Sequence, residues 1–244
     1  MKYSALVAAA VFTGLCCANA SAAALAGTFN MNGNVTVTAN TITWQSVSGP
    51  PFTPDVFTLS AGTGSFSTEN GTNTINDLMN PPDVVGAPGF PDQTFIVFTV
   101  TPGLANLNIN FINPGIYTST NCFSATPAVG QNCTLPGSPF NFVNNPGGTA
   151  APIQATATWV FSGETSDHLS TWTANFTSQF NVPFETVLAS FAGTNGTATN
   201  SYSAISTVVV TPISSTPEPG TMALMGFGMI VLSAGLRRRV TKKA

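Results

Sequence analysis

Residues Ser170–Phe180 read STWTANFTSQF, with Trp172, Ala174 and Phe176 on one parity and threonine or asparagine on the other. A helix cannot gather such a set on one side. A period of two fits an extended strand with one face buried. The same alternation recurs in Thr28–Asn32, Val35–Thr38, Thr41–Trp44, Leu107–Phe111 and Thr156–Trp159. Phe95–Val100, FIVFTV, is a continuous apolar run and predicts a central strand. Clusters of Gly, Pro and Asn separate the runs, as in SGPPFTPD, NPPDVVGAPGFPD, INPGIY and NNPGGTAAP. Many short strands with such turns predict a mainly β fold, an antiparallel β-sandwich. Gly163–His168, GETSDH, predicts the tip of a hairpin between two of them.

One stretch breaks the alternation. After Pro183, residues Phe184, Val187, Leu188 and Phe191 fall at i, i+3, i+4 and i+7, and Gly193 follows. That spacing predicts a short helix of about two turns, with Pro near its first position and Gly as its C-cap. Asn200–Thr211 then predicts a last strand, which closes an ectodomain over 25–211.

Charge is distributed in an unusual way. The chain has six Lys and Arg and nine Asp and Glu. Between Tyr3 and Leu236 there is no Lys and no Arg. Salt bridges therefore contribute almost nothing to the fold, which must rest on apolar burial and hydrogen bonds. A surface with acidic groups and no fixed cation also makes nucleic acid and phosphorylated ligands poor partners.

The positive residues sit at the two ends. Lys2, the apolar run Ala5–Cys17 and the small residues Ala18-Asn19-Ala20 or Ala22-Ala23-Ala24 make the three parts of a secretory signal peptide over 1–24, cleaved after Ala20 or Ala24 by signal peptidase. Cys16-Cys17 invites a lipoprotein reading, against which Leu15 stands in place of a small residue. At the other end, Gly220–Leu236 carries no charge, and 17 residues at about 1.5 Å each reach roughly 26 Å, enough to span a bilayer with snorkelling flanks. Arg237, Arg238, Arg239, Lys242 and Lys243 would hold the tail, 237–244, in the cytoplasm. A nucleic-acid-binding tail is the competing reading, and an apolar span beside it argues against it. The segment between the signals is thus expected to be exported through the inner membrane. Cys122 and Cys133 would then lie in an oxidising place and form a disulfide closing a loop of about 12 residues, with free thiols or a metal pair as alternatives.

Pro217-Glu218-Pro219 in the linker 212–219, then the apolar span 220–236, then the Arg cluster, resembles the PEP-CTERM sorting signal of exported bacterial proteins. The same segment is also called an ice-binding protein C-terminal domain, a name that carries no evidence of ice binding. The resemblance implies an exosortase-type membrane protease as partner, recognition at Glu218, and removal of helix and tail. A permanent membrane anchor is the alternative. The resemblance further implies a place at the cell surface or in the extracellular matrix, associated with exopolysaccharide or biofilm. The ectodomain also resembles those of uncharacterised PEP-CTERM proteins, in its Trp-bearing strand, its acidic turn, its strand ending in TxQF, its short helix and its closing SYSA strand.

Residues suited to chemistry are sparse. His168 is the one histidine, and with Ser166 and Asp167 beside it on a turn it makes a poor triad. Glu164 and Asp167 are candidate carboxylates for glycoside chemistry only if a cleft lies between them. No phosphate-binding loop or dinucleotide motif occurs, no metal or cofactor is expected, and Ca²⁺ would bind turn carboxylates only weakly. Trp44, Trp159 and Trp172 would stack on sugars if they faced solvent, although Trp159 and Trp172 share parity with apolar neighbours. The recurrent T-x-T pairs, such as Thr36/Thr38 and Thr171/Thr173, predict exposed strand faces. The expectation is a non-enzymatic surface or matrix protein. A carbohydrate-binding module is the alternative, and a glycan-active enzyme comes third.

Overall fold

The alternating segments extend into long strands. The computed structural model describes residues 23–37, 41–45, 56–79, 93–191 and 196–211. The sequence pattern divides Thr28–Thr38 in two, but the backbone runs straight through it as β1, Gly27–Val37, which places Phe29, Met31 and Val35 inward. β10 (Ile153–Thr165), β11 (Ser170–Phe180) and β12 (Ala198–Val210) are as long or longer. Shorter strands complete the set: β2 (Thr41–Gln45), β3 (Val56–Ser60), β4 (Gly71–Ile75), β5 (Leu78–Met79), β6 (Gln93–Val97), β7 (Leu107–Ile112), β8 (Asn132–Cys133) and β9 (Asn141–Pro146).

All pairings are antiparallel, and all twelve strands belong to one sheet. Eight of them close a ring in the order β1-β3-β4-β6-β7-β10-β11-β12 and back to β1. The mainly β, antiparallel fold with one α-helix is as expected, but the two-sheet sandwich is not what forms. A physical reason lies in the composition. Open sheets leave edge strands that are usually blunted by Lys, and this domain has none. Closure removes the edges instead.

Two long strands branch. β1 pairs with β3 through 30–32 and with β2 through 34–37, and β10 pairs with β7 through 161–165 and with β9 through 153–158. Helix α1 (Phe184–Phe191) packs on β9, β10 and β12, and buries Phe184, Val187 and Leu188. Its first turn is completed by another strand. Asn144 of β9 accepts the Phe184 N–H through Oδ1 at 2.9 Å and donates through Nδ2 to Glu185 Oε2 at 3.0 Å. Pro183 takes the capping position, its carbonyl accepting from Thr186 and Val187. The expected C-cap, Gly193, lies outside the described residues.

An eight-stranded ring is just wide enough to be filled by side chains, and here aromatic residues fill it. Phe176 stacks on Trp159 at 5.3 Å and meets Trp44, Phe161 and Tyr202 at 5.2–5.7 Å. Phe95 stacks on Trp172 at 5.8 Å. Two glycines make room across the ladder. Gly33 sits opposite Tyr202, whose ring a Cβ would meet at 2.9 Å, and Gly163 opposite Trp172. A Cβ at Gly163 would also strike the Asn108 carbonyl at 1.8 Å, beside the register shift at Ser162/Gly163.

Phe95–Val100 is not the continuous central strand expected. β6 ends at Val97, and an irregularity between Thr94 and Ile96 turns both Phe95 and Ile96 inward. The expected membrane span at 220–236 and the signal peptide at 1–24 lie outside the described residues, apart from the last two signal residues. Among the described residues no helix is long and apolar enough to cross a membrane.

Candidate functional site

The segment from Asn113 to Phe140 leaves the sheet between β7 and β9 and has almost no ladder of its own. The Cys122–Cys133 disulfide joins its two arms, with Cα atoms 5.1 Å apart. Side chains do the rest. Asn141 Oδ1 accepts the Ile116 N–H at 2.7 Å and the Thr134 hydroxyl at 2.9 Å, and the Gly115 N–H donates to the Ser138 carbonyl at 3.0 Å. Gly115 packs so closely that a Cβ would meet Thr134 Cγ2 at 2.4 Å. Between the arms lies an open pocket of about 230 Å³, lined among others by Pro114, Tyr117, Ser119, Leu135, Pro136 and Ser138. Ile116 and Phe123 project from the same segment, 80 % and 73 % exposed. From the sequence, this segment offers the two cysteines and the turn cluster INPGIY, because neither period marks an irregular loop.

The hairpin tip lies between β10 and β11, as expected. Asp167 holds the turn: its Oδ1 accepts from the Thr165 hydroxyl at 2.5 Å and the Leu169 N–H at 3.1 Å. Ser166 Oγ accepts the Asn106 N–H at 3.1 Å. His168, with a positive φ of 57°, lies 2.9 Å from Glu164 Oε2 on the outside of the hairpin. These three neighbours therefore point their polar atoms to three different tasks and do not converge. Glu164 Oε2 is paired with His168 and Asp167 Oδ1 is held within the turn.

The tryptophans lie inside. Trp44, Trp159 and Trp172 are all buried within 2 % exposure, so none offers a stacking face to a sugar. The T-x-T hydroxyls lie outside on the long strands, where Thr158, Thr171 and Thr173 are exposed and Thr36 bonds Thr199 across the β1/β12 ladder at 2.7 Å. Among the described residues no three His, Cys, Asp or Glu side chains gather as a metal site. A second cavity, about 20 Å³ and apolar, lies under α1 beside Val35, Trp159, Val187 and Phe191. It is a packing gap.

One buried group was not foreseen. Glu69, after the 3₁₀ turn Gly64–Phe66, is fully buried, and neither oxygen of its carboxylate has a hydrogen-bond partner. No sequence pattern separates it from an exposed loop glutamate.

Pro217, Glu218, Pro219 and the basic residues Arg237, Arg238, Arg239, Lys242 and Lys243 lie outside the described residues. No curated protein and no solved structure matches the chain. A family model of the PEP-CTERM protein-sorting motif matches residues 215–239, so the chain is a protein that carries the PEP-CTERM sorting motif.

Proposed function

We propose that this chain is exported, handled by an exosortase at its C-terminal motif, and delivered to the cell surface or extracellular matrix, where its barrel serves as a non-enzymatic structural or binding domain. The observation that carries the reading is the sorting motif over 215–239. The Lys- and Arg-free stretch from Tyr3 to Leu236 is in keeping with passage across a membrane. Association with exopolysaccharide belongs to the same proposal, and the absence of fixed positive charge favours neutral over anionic polymers. The polar side chains at the hairpin tip are committed to holding the turn, which supports a role without catalysis.

Intact mass of the mature protein from its producing cells tests this, with a Glu218→Ala variant alongside. The expected wild-type mass lacks the N-terminal signal and everything beyond the Pro217-Glu218-Pro219 region, and the variant keeps its C-terminal tail. A mature wild-type protein that retains Arg237–Arg239 would overturn processing and leave a permanent membrane anchor.

A further inference from the structure

We infer that the pocket between the two arms of the disulfide-closed loop is a binding site for a neutral saccharide, with Tyr117 as its aromatic platform. The inference does not depend on how the chain is sorted.

Three observations converge on it. The first is charge. From Gln93 to Gly163 the sequence has no charged residue, so every residue lining the pocket is neutral. An ionic ligand would find no counter-charge there, whereas a neutral one avoids the cost of burying an unpaired charge.

The second is the character of the lining. Pro114, Leu135 and Pro136 supply apolar surface, Tyr117 is the one aromatic lining residue, and Ser119 and Ser138 add hydroxyls. A pyranose has the matching pattern, an apolar C–H face bordered by hydroxyls. Tyr combines a flat apolar body with a polar end and loses little freedom on contact. The Tyr117 phenol has no partner among the described residues, and neither does the Ser119 hydroxyl, so both are available to a ligand. At about 230 Å³ the pocket falls below the roughly 300–1,000 Å³ that enclose drug-sized ligands, which suits one small ring.

The third is preorganisation. The arms are fixed before any ligand arrives, by the Cys122–Cys133 bond, by the Gly115–Ser138 backbone bond and by Asn141, which ties Ile116 to Thr134. A loop already ordered gives up little entropy on binding. The site also replaces the tryptophan platforms that the sequence offered, since all three tryptophans are core.

The test uses the protein as it leaves its producing cells. Tyr202 is buried and Tyr3 lies in the signal segment, so Tyr117 is the tyrosine open to nitration by tetranitromethane. Glucose, galactose, mannose and N-acetylglucosamine are the probes, with glucuronate as the charged control. At least one neutral sugar is expected to slow nitration of Tyr117 saturably, as read by peptide mass. Calorimetric titration with the same sugar is expected to weaken about tenfold in Tyr117→Ala and to be largely kept in Tyr117→Phe. Wild-type protection alone is decisive if the variant folds poorly. Failure of every neutral sugar to protect Tyr117 would overturn the site. Glucuronate binding as tightly as the best neutral sugar would overturn its class, and binding unchanged in a folded Tyr117→Ala would move it elsewhere.

Discussion

The ring is closed by two halves made in different ways. β1, β10, β11 and β12 run 11–13 residues each, and the β1/β12 and β10/β11 ladders keep register without a break. β3, β4, β6 and β7 run only 5–6 residues, and β4 meets β6 through just two residue pairs. Side chains stand in for the missing ladder there. Asn73 Oδ1 accepts the Thr99 N–H at 2.9 Å, Thr99 Oγ1 donates to the Thr72 carbonyl at 2.9 Å, and Asn76 Nδ2 donates to the Thr94 carbonyl at 2.7 Å. The long half is joined by periodic pairing, and the short half adds bonds from particular polar residues. The long half should therefore fail through its core, and the short half through single hydrogen bonds.

The largest effect is expected at Phe176 in the long half. It is 1 % exposed and touches Trp44, Trp159, Phe161 and Tyr202, so Phe176→Ala leaves a cavity among four rings that cannot collapse together. The loss should be about 3–5 kcal/mol by denaturant unfolding. A loss under about 1.5 kcal/mol would mean that the aromatic cluster repacks freely, and the long half would not be core-limited.

The same division explains what could be read from the sequence. On β11, burial repeats every second residue from Ser170 to Ser178, so period two reveals the strand, its face and its core members at once. The helix was equally legible, because Phe184, Val187 and Leu188 fall on one stripe. β3 and β4 passed unnoticed: VFTLS and GTNTI are too short to establish a period, and in β4 one inward residue is Asn73. Closure was not legible either. Antiparallel alternation is the same in a sandwich and a barrel, and the difference lies in which strands meet across long sequence separations, such as β7 with β10. Of the candidate site, Cys122 and Cys133 could be paired from composition and compartment. The pocket at Tyr117 could not, because the arms meet only after the chain has folded around Asn141.

An intermediate effect is expected where the short half depends on one amide. Asn73 is 1 % exposed, and Asn73→Ala would leave the Thr99 N–H without its partner. Stability should fall by about 1–3 kcal/mol, the cost of an orphaned donor at a half-buried site. Hydrogen exchange should show the loss first at Thr99 and along β4 and β6, while β11 and β12 keep their protection. Uniform loosening of all strands would show instead that the ring has no weaker half.

The smallest effect has the opposite sign. Glu69 is the one fully buried carboxylate among the described residues, and no hydrogen bond compensates its removal from water. Burying such a group without a partner is costly, whereas an apolar side chain of similar length in the same place is not. Methionine has that length and the flexibility to fill an irregular gap. Glu69→Met should therefore raise stability by about 1–2 kcal/mol, with Glu69→Gln in between because its amide is still polar. Denaturant midpoints of the three proteins, with slopes compared, measure the order. A reversed order, with methionine least stable, would mean that the carboxylate gains a partner in solution, a bound ion or an ordered water. The short half would then hold its one buried carboxylate for a reason, whereas the buried polar groups of the long half, Thr165, Ser170, Ser178 and Ser206, are uncharged hydroxyls, and a buried charge would become a binding property.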